Sequence, residues 1–236
     1  MSQQRISISI ETASRAGGVA LGADGQLLEA RSFDSNRRHA TELLVHLSQL
    51  LEAHGFAPGQ IDEVHVSLGP GSFTGTRVGV TVARTLAQAT GRIDLVGVAT
   101  AEVIAAGAEQ ADWDHLTVCL AGKAGTVHAT CFARDEQGLA RLRHQLGIVG
   151  PEQLLAEAPK GAAWVGEGLN YLPEGSIPPG LRLEAVFDQP RPEHLLRVGR
   201  AKAAGGDLTD PARLLPIYPR KAEAVRLWEL RHGKQS

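Results

Sequence analysis

Apolar residues alternate at the start of the chain at Ile6, Ile8 and Ile10, which predicts a strand. A second strand follows at 19–21, reached through Gly17-Gly18, and Asp24-Gly25 supplies a hairpin turn into a third at 27–33. The period then changes. Ala40, Leu43, Leu44, Leu47, Leu50, Leu51 and His54 recur at helical spacing, and Gly55 closes that helix in the usual C-terminal position. Next come a strand at 61–68, a helix at 76–90 stopped by Gly91, a strand at 95–98, and a helix at 101–109 capped by Thr100.

The order through residue 109 is therefore βββαβαβα, the half-unit of the ribonuclease H-like and actin/sugar-kinase-like superfold. A second meander is predicted at 116–121, 127–133 and 139–146, with a turn at Gly122-Lys123-Ala124-Gly125. A helix at 151–156 opens on Pro151, a favourable first-turn residue. A strand at 163–166, a turn-rich loop at 173–181 and a helix at 193–204 follow. The prediction is an α/β protein of two lobes, each a mixed sheet with flanking helices. The first spans 1–104; the second, 105–236, is smaller and divergent, and its last helix is expected to pack back on the first.

Composition narrows the function classes. With 236 residues, 43% hydrophobic and 21% charged, the chain has ample core for an ordinary globular protein. A net charge of −2 argues against a wholly polyanion-binding surface, and 4% aromatic residues leave few rings for stacking on nucleic acid. No signal-peptide core or membrane-length apolar run is present, so a cytoplasmic location is expected. Cys119 and Cys131 lie in apolar alternating segments at a spacing that fits neither a zinc site nor a redox pair, which predicts buried inert thiols.

The run 67–79 carries the densest chemistry. Gly69, Gly71 and Gly75 with Pro70 stand between an apolar strand and an apolar-periodic helix. Such a corner serves either as a tight turn that lets helix and strand approach closely, or as an anion site built on helix N–H groups. Ser72, Thr74 and Arg77 would assist the second role. It is not a Walker A loop, because Thr76 and Arg77 follow Gly75 where that motif needs Lys then Ser or Thr.

Catalytic constellations are incomplete. Glu11 ends the first strand, where this superfold places a metal-binding carboxylate, and Glu42 can supply a second acid on the first helix. The third nuclease ligand is missing, since Ser67-Leu68-Gly69 holds no acid. His39 has Leu43, not histidine, four residues on, so no metal-binding pair shares that helix face. His46, His54 and His65 read as solvated or hydrogen-bonded histidines.

Several segments together resemble the TsaB family, also called YeaZ. They are Ile10-Glu11-Thr12, the helix opening at His39, the run from Leu68 through Phe73 to Gly79, Ala83-Arg84-Thr85-Leu86-Ala87, Val96 to Thr100, and Pro216-Ile217-Tyr218-Pro219-Arg220. The resemblance spans essentially the whole chain. It implies a non-catalytic subunit that dimerises with and activates the catalytic paralogue TsaD, alongside the ATPase TsaE. Together these install threonylcarbamoyl on N6 of adenosine 37 in tRNAs reading ANN codons. It also implies that ATP or ADP and a metal belong to the partner subunits and that this chain alone binds no cofactor. On this view Glu11, Thr12 and His39 are a vestigial site. Three positions depart from the family pattern: Glu11 for aspartate, Ala121-Gly122-Lys123 for an acid followed by Ala-Arg, and Pro219 for leucine.

The stripe Leu43, Leu44, Leu47, Leu50 and Leu51, with Val78, Val82 and Leu86 on the next helix, is broader than one packed face requires. Part must cover the sheet. The resemblance assigns the rest to a helix-on-helix interface with the partner, or with a second copy when the partner is absent. The competing reading is a stand-alone glycoprotease-like or sugar-kinase-like enzyme, with 13–18 and Gly166-Glu167-Gly168 as its phosphate turns. A third is direct tRNA contact by Arg213, Arg220, Lys221, Arg226, Arg231 and Lys234, which outnumber Glu223 and Glu229.

Overall fold

The hydrophobic alternation of the first third becomes an antiparallel meander. In a computed structural model, which describes residues 4–34, 39–219 and 228, strands β1 (Ile6–Glu11), β2 (Ala16–Ala23) and β3 (Gln26–Asp34) pair in that order. Asp24 and Gly25 both take positive φ, 49° and 85°, which matches the right-handed twist of a two-residue hairpin. Helix α1 (His39–Ala53), β4 (Ile61–Ser67), α2 (Phe73–Thr90), β5 (Asp94–Val98) and α3 (Thr100–Gly107) follow. β4 lies parallel to β1, and β5 parallel to β4, giving the sheet order β3-β2-β1-β4-β5.

The second lobe repeats this plan in shortened form. β6 (His115–Ala121), β7 (Val127–Arg134) and β8 (Ala140–Val149) form another antiparallel meander. After α4 (Pro151–Glu157), β9 (Ala163–Val165) pairs parallel with β6, so the order is β8-β7-β6-β9. This is the two-lobed α/β architecture of the actin/sugar-kinase-like type.

Helices α1 and α2 cover one face of the first sheet, with Leu43, Leu47, Leu50, Val80 and Ala83 packed on Ile8, Ile10, Val64 and Val66. The opposite face is covered by α5 (Pro192–Ala204), which returns from the second lobe to lie across β1, β2, β4 and β5. The chain then runs past β5 to the end of β4: Thr209 N–H donates to the Leu95 carbonyl of β5 at 2.7 Å, and Ile217 N–H to that of Leu68, just after β4, at 2.7 Å. These bonds satisfy backbone groups that an open sheet edge would leave exposed.

Local departures from the sequence reading have simple causes. α2 starts at Phe73 rather than at residue 76, because Ser72 is its cap and Ser72 Oγ accepts the Gly75 N–H at 3.1 Å. Thr100 does not cap α3. Ala99 is the cap residue, its N–H is taken by Glu102 Oε2 at 3.1 Å, and Thr100 Oγ1 lies 3.0 Å from Ser67 Oγ. β8 runs on to Val149, paired with β7 throughout.

Candidate functional site

The Gly-rich corner meets the end of β1 without a gap. A Cβ at Gly71 would collide with the Ala13 carbonyl, one at Gly75 with the Thr12 carbonyl, and one at Gly79 with Thr12 Oγ1. Ser72 N–H donates to the Ala13 oxygen at 2.7 Å. Gly75, Gly79, Ala83 and Ala87 recur every four residues and are all buried, so one small-residue face of α2 lies against the sheet. Of the two roles open to Gly69, Gly71 and Gly75, close approach is the one this geometry explains. Ser72 Oγ is engaged as the cap, whereas Thr74 and Arg77 point outward and are exposed.

Glu11 sits beneath this corner with no solvent exposure. Burial pushes its carboxyl up to about 7, although Ala13 N–H, at 2.6 Å from Oε1, and Ser67 both pull the other way. Among the described residues Oε2 has no hydrogen-bond partner, and neither has Thr12 Oγ1. A carboxyl enclosed in this way can hold a proton but cannot reach a ligand. His39 opens α1, and its side chain lies outside the described residues, as do Arg220, Lys221, Arg226, Arg231 and Lys234. Leu43, at the position of the missing second histidine, is fully buried in the core. Among the described residues no group of three or more His, Cys, Asp or Glu is placed to hold a metal.

The leucine stripe divides. Leu43, Leu47, Leu50 and Leu51 are at most 5% exposed, packed against the sheet, so they are core and cannot form an interface as expected. Leu44 is 50% exposed, and its neighbour Val45, which the stripe omitted, is 46% exposed. Val78, Val82 and Leu86 are half-buried at the margin of the core. The apolar surface that these helices leave open is thus Leu44 and Val45 on α1 with the half-buried Val78, Val82 and Leu86 on α2.

Comparison with known proteins bears on what these features belong to. Residues 33–155 match the model of the family described as TsaD, tRNA N6-adenosine threonylcarbamoyltransferase. The chain belongs to this family, on its TsaB (YeaZ) branch. It is 27% identical to the Escherichia coli tRNA threonylcarbamoyladenosine biosynthesis protein TsaB over 97% of this chain and 99% of that one. The Bacillus subtilis TsaB is 24% identical over 94% of this chain and 96% of its own length. A Pseudomonas aeruginosa structure, described as similar to peptidase YeaZ, superimposes with a TM-score of 0.80 at 26% identity, covering 92% of this chain and all (100%) of that one.

Within this TsaB-type scaffold two features escaped the sequence reading. Phe73, 57% exposed, and Tyr218, 46% exposed, meet at the outer edge of the corner with ring centroids 5.1 Å apart. Their signal was available: an aromatic residue inside a glycine-rich turn has no packing reason to be there. Between the lobes, next to the corner, a cleft of about 140 Å³ is lined by Pro70, Glu102, His128, Thr130, Gln145 and Ile217. Burial lowers the His128 imidazole below its ordinary value, which keeps it neutral. Cys119 and Cys131 are buried and free, and burial raises both thiols, as expected of inert cysteines. No helix among the described residues is long and apolar enough to cross a membrane.

Proposed function

We propose that this chain is a non-catalytic subunit in the synthesis of threonylcarbamoyladenosine in tRNA. It pairs with a TsaD-type transferase and works with a TsaE-type ATPase on tRNAs that read ANN codons, in the cytoplasm. Its near end-to-end similarity to the curated TsaB proteins supports the pathway. The observation that carries the non-catalytic part is Glu11. The strand-end carboxylate that this superfold uses for metal work is here fully buried at the end of β1, with a proton-holding carboxyl. ATP or ADP and a metal then belong to the partner subunits, and this chain contributes the outer surface of α1 and α2. Without the partner, the same surface pairs two copies of the chain.

The test is formation of the modified nucleoside on tRNA from threonylcarbamoyl-adenylate, omitting one protein at a time. The expected result is no product from this chain alone and none, or far less, from the TsaD and TsaE homologues without it. Product made by this chain alone, or turnover of a sugar or peptide, would favour the stand-alone enzyme instead.

A further inference from the structure

Nothing in the packing of the first lobe requires Phe73 and Tyr218 to stand where they do. Both rings are about half exposed, and each stands on or beside hydrogen-bonded backbone. Phe73 is the first residue of α2, directly after the Ser72 cap, and Tyr218 follows Ile217, whose N–H is bonded to Leu68. The rings are tilted 38° to each other. Paired aromatic surface exposed in this way is characteristic of a binding face, because burying it against a partner removes apolar area from water that folding alone leaves exposed.

A cation lies beside this pair. Arg77, one turn along α2, places its guanidinium 5.3 Å from the Phe73 ring centroid, and among the described residues no carboxylate pairs with it. Helix α2 carries Arg77 and Arg84 and no acid at all. Beyond Pro219, Arg220, Lys221, Arg226, Arg231 and Lys234 face only Glu223 and Glu229 in sequence, so this stretch carries +3 while residues 1–219 carry −5. The positive charge of an acidic chain is thus concentrated immediately after Tyr218. Protein anchors also use exposed rings, but a guanidinium beside them, and a net-positive stretch that follows in sequence, favour a polyanion with flat bases.

We propose that Phe73, Tyr218 and Arg77 form a stacking platform for single-stranded RNA, with an unpaired base on the rings and a phosphate on Arg77. The proposal rests on the tRNA reading above for the presence of an RNA, and on the platform itself for where it binds.

The experiment is fluorescence anisotropy of a labelled oligoadenylate and of a double-stranded RNA of equal length, with the full chain at low salt. Single-stranded RNA should bind more tightly than the duplex. The double variant Phe73→Leu with Tyr218→Leu should weaken binding roughly fivefold or more, as loss of base stacking does, with an unchanged thermal melt. Arg77→Gln should lower the slope of log affinity against log salt by about 1. If the double variant melts early, Tyr218→Phe decides, because keeping the ring should keep the affinity while Tyr218→Leu alone loses it. No binding of the oligoadenylate, or binding indifferent to the rings and to Arg77, overturns the proposal. So does a double variant that loses pairing with the TsaD homologue but binds RNA as before, which would make the rings a protein anchor. Failure of RNA binding with pairing and nucleoside formation intact refutes the platform alone and leaves the proposed function standing.

Discussion

The two faces of the five-stranded sheet are both closed to water, but by opposite means. Under α1 and α2 the strands present Ile6, Ile8 and Ile10 from β1 and Val64 and Val66 from β4. Under α5 the same strands present Ser7, Ser9 and Glu11, and Glu63, His65 and Ser67, all at most 2% exposed. The first face is held by apolar area, which is non-directional and tolerates reshaping. The second is held by fitted polar contacts. Ser9 Oγ donates to the Pro192 carbonyl at 2.6 Å, and Ser7 Oγ to Glu63 Oε2 at 2.9 Å. Arg5 and Arg200 both donate to Glu63 Oε1, at 2.5 and 2.8 Å. α5 also sits unusually close, with Pro192 against Gly18, Leu196 against Gly22, and Gly199 directly over the His65 ring. Two halves of one sheet therefore differ in what breaks them.

The largest effect is expected on the apolar face. Leu47→Asp buries an unpaired carboxylate among Leu43, Leu50 and the sheet, at a cost of several kcal/mol, and should abolish folding outright by circular dichroism. A folded, partner-deficient Leu47→Asp protein would place that side chain on the surface after all.

Glu11→Gln probes the polar face and its pH dependence. The native carboxyl is raised from 4.5 to about 7 by burial, so the folded state keeps a proton that the unfolded state releases between those values. Stability from this group is therefore lost as pH rises through that window, by about 3 kcal/mol in all. The variant cannot titrate, so its stability relative to wild type should grow by that amount from pH 4.5 to pH 8 in urea melts. A difference that stays constant with pH would contradict the buried, protonated carboxyl.

The acid limb has the opposite sign and arises one strand away. Burial lowers the His65 imidazole, whose Nε2 lies 3.3 Å from Glu63 Oε2, more than that carboxylate raises it. Burial alone would raise Glu63, but the adjacent His65 imidazole and hydrogen bonds from Arg5, Arg200 and Ser7 outweigh it and hold the carboxyl well below its usual range. Both groups bind more protons unfolded than folded, so stability should fall as pH drops below about 6.5, and again below about 4.5. Hydrogen exchange should show α5 opening before α1 in this limb, and simultaneous opening would remove the distinction between the faces.

Smaller again is Gly199→Ala, where the new methyl meets the His65 ring. About 1–3 kcal/mol of destabilisation is expected, largely relieved in the double variant with His65→Ala. Last, Leu44→Asp, on the exposed side of α1, should shift stability by no more than about 0.5 kcal/mol while weakening self-pairing in light scattering.

Periodicity made the strand order, both meanders and the corner readable, because turns at Asp24-Gly25 and Gly91 and apolar alternation are local signals. What it left obscure was which side of a stripe faces inward. Leu44 and Leu47 are equivalent in composition, and only the arrangement of α1 over β2 makes one surface and the other core. The polar face was hidden for a related reason. Ser7, Ser9, Glu63 and His65 are polar positions on alternating strands, and the helix that covers them begins only at Pro192, far along the chain. The role of Gly71, Gly75 and Gly79 needed the backbone of residues 12–13 to be placed before close approach and anion binding could be told apart.

We propose that this chain acts through the outer surface of α1 and α2 and not through the carboxyl at the end of β1. The most direct measurement is the rate of modified-nucleoside formation on tRNA with the TsaD and TsaE homologues, using Glu11→Gln, Leu44→Asp and Val82→Asp in place of wild type. Glu11→Gln should support the wild-type rate, and the two helix variants, folded by circular dichroism, should lose most of it. Loss of activity in Glu11→Gln with both helix variants fully active would contradict the account.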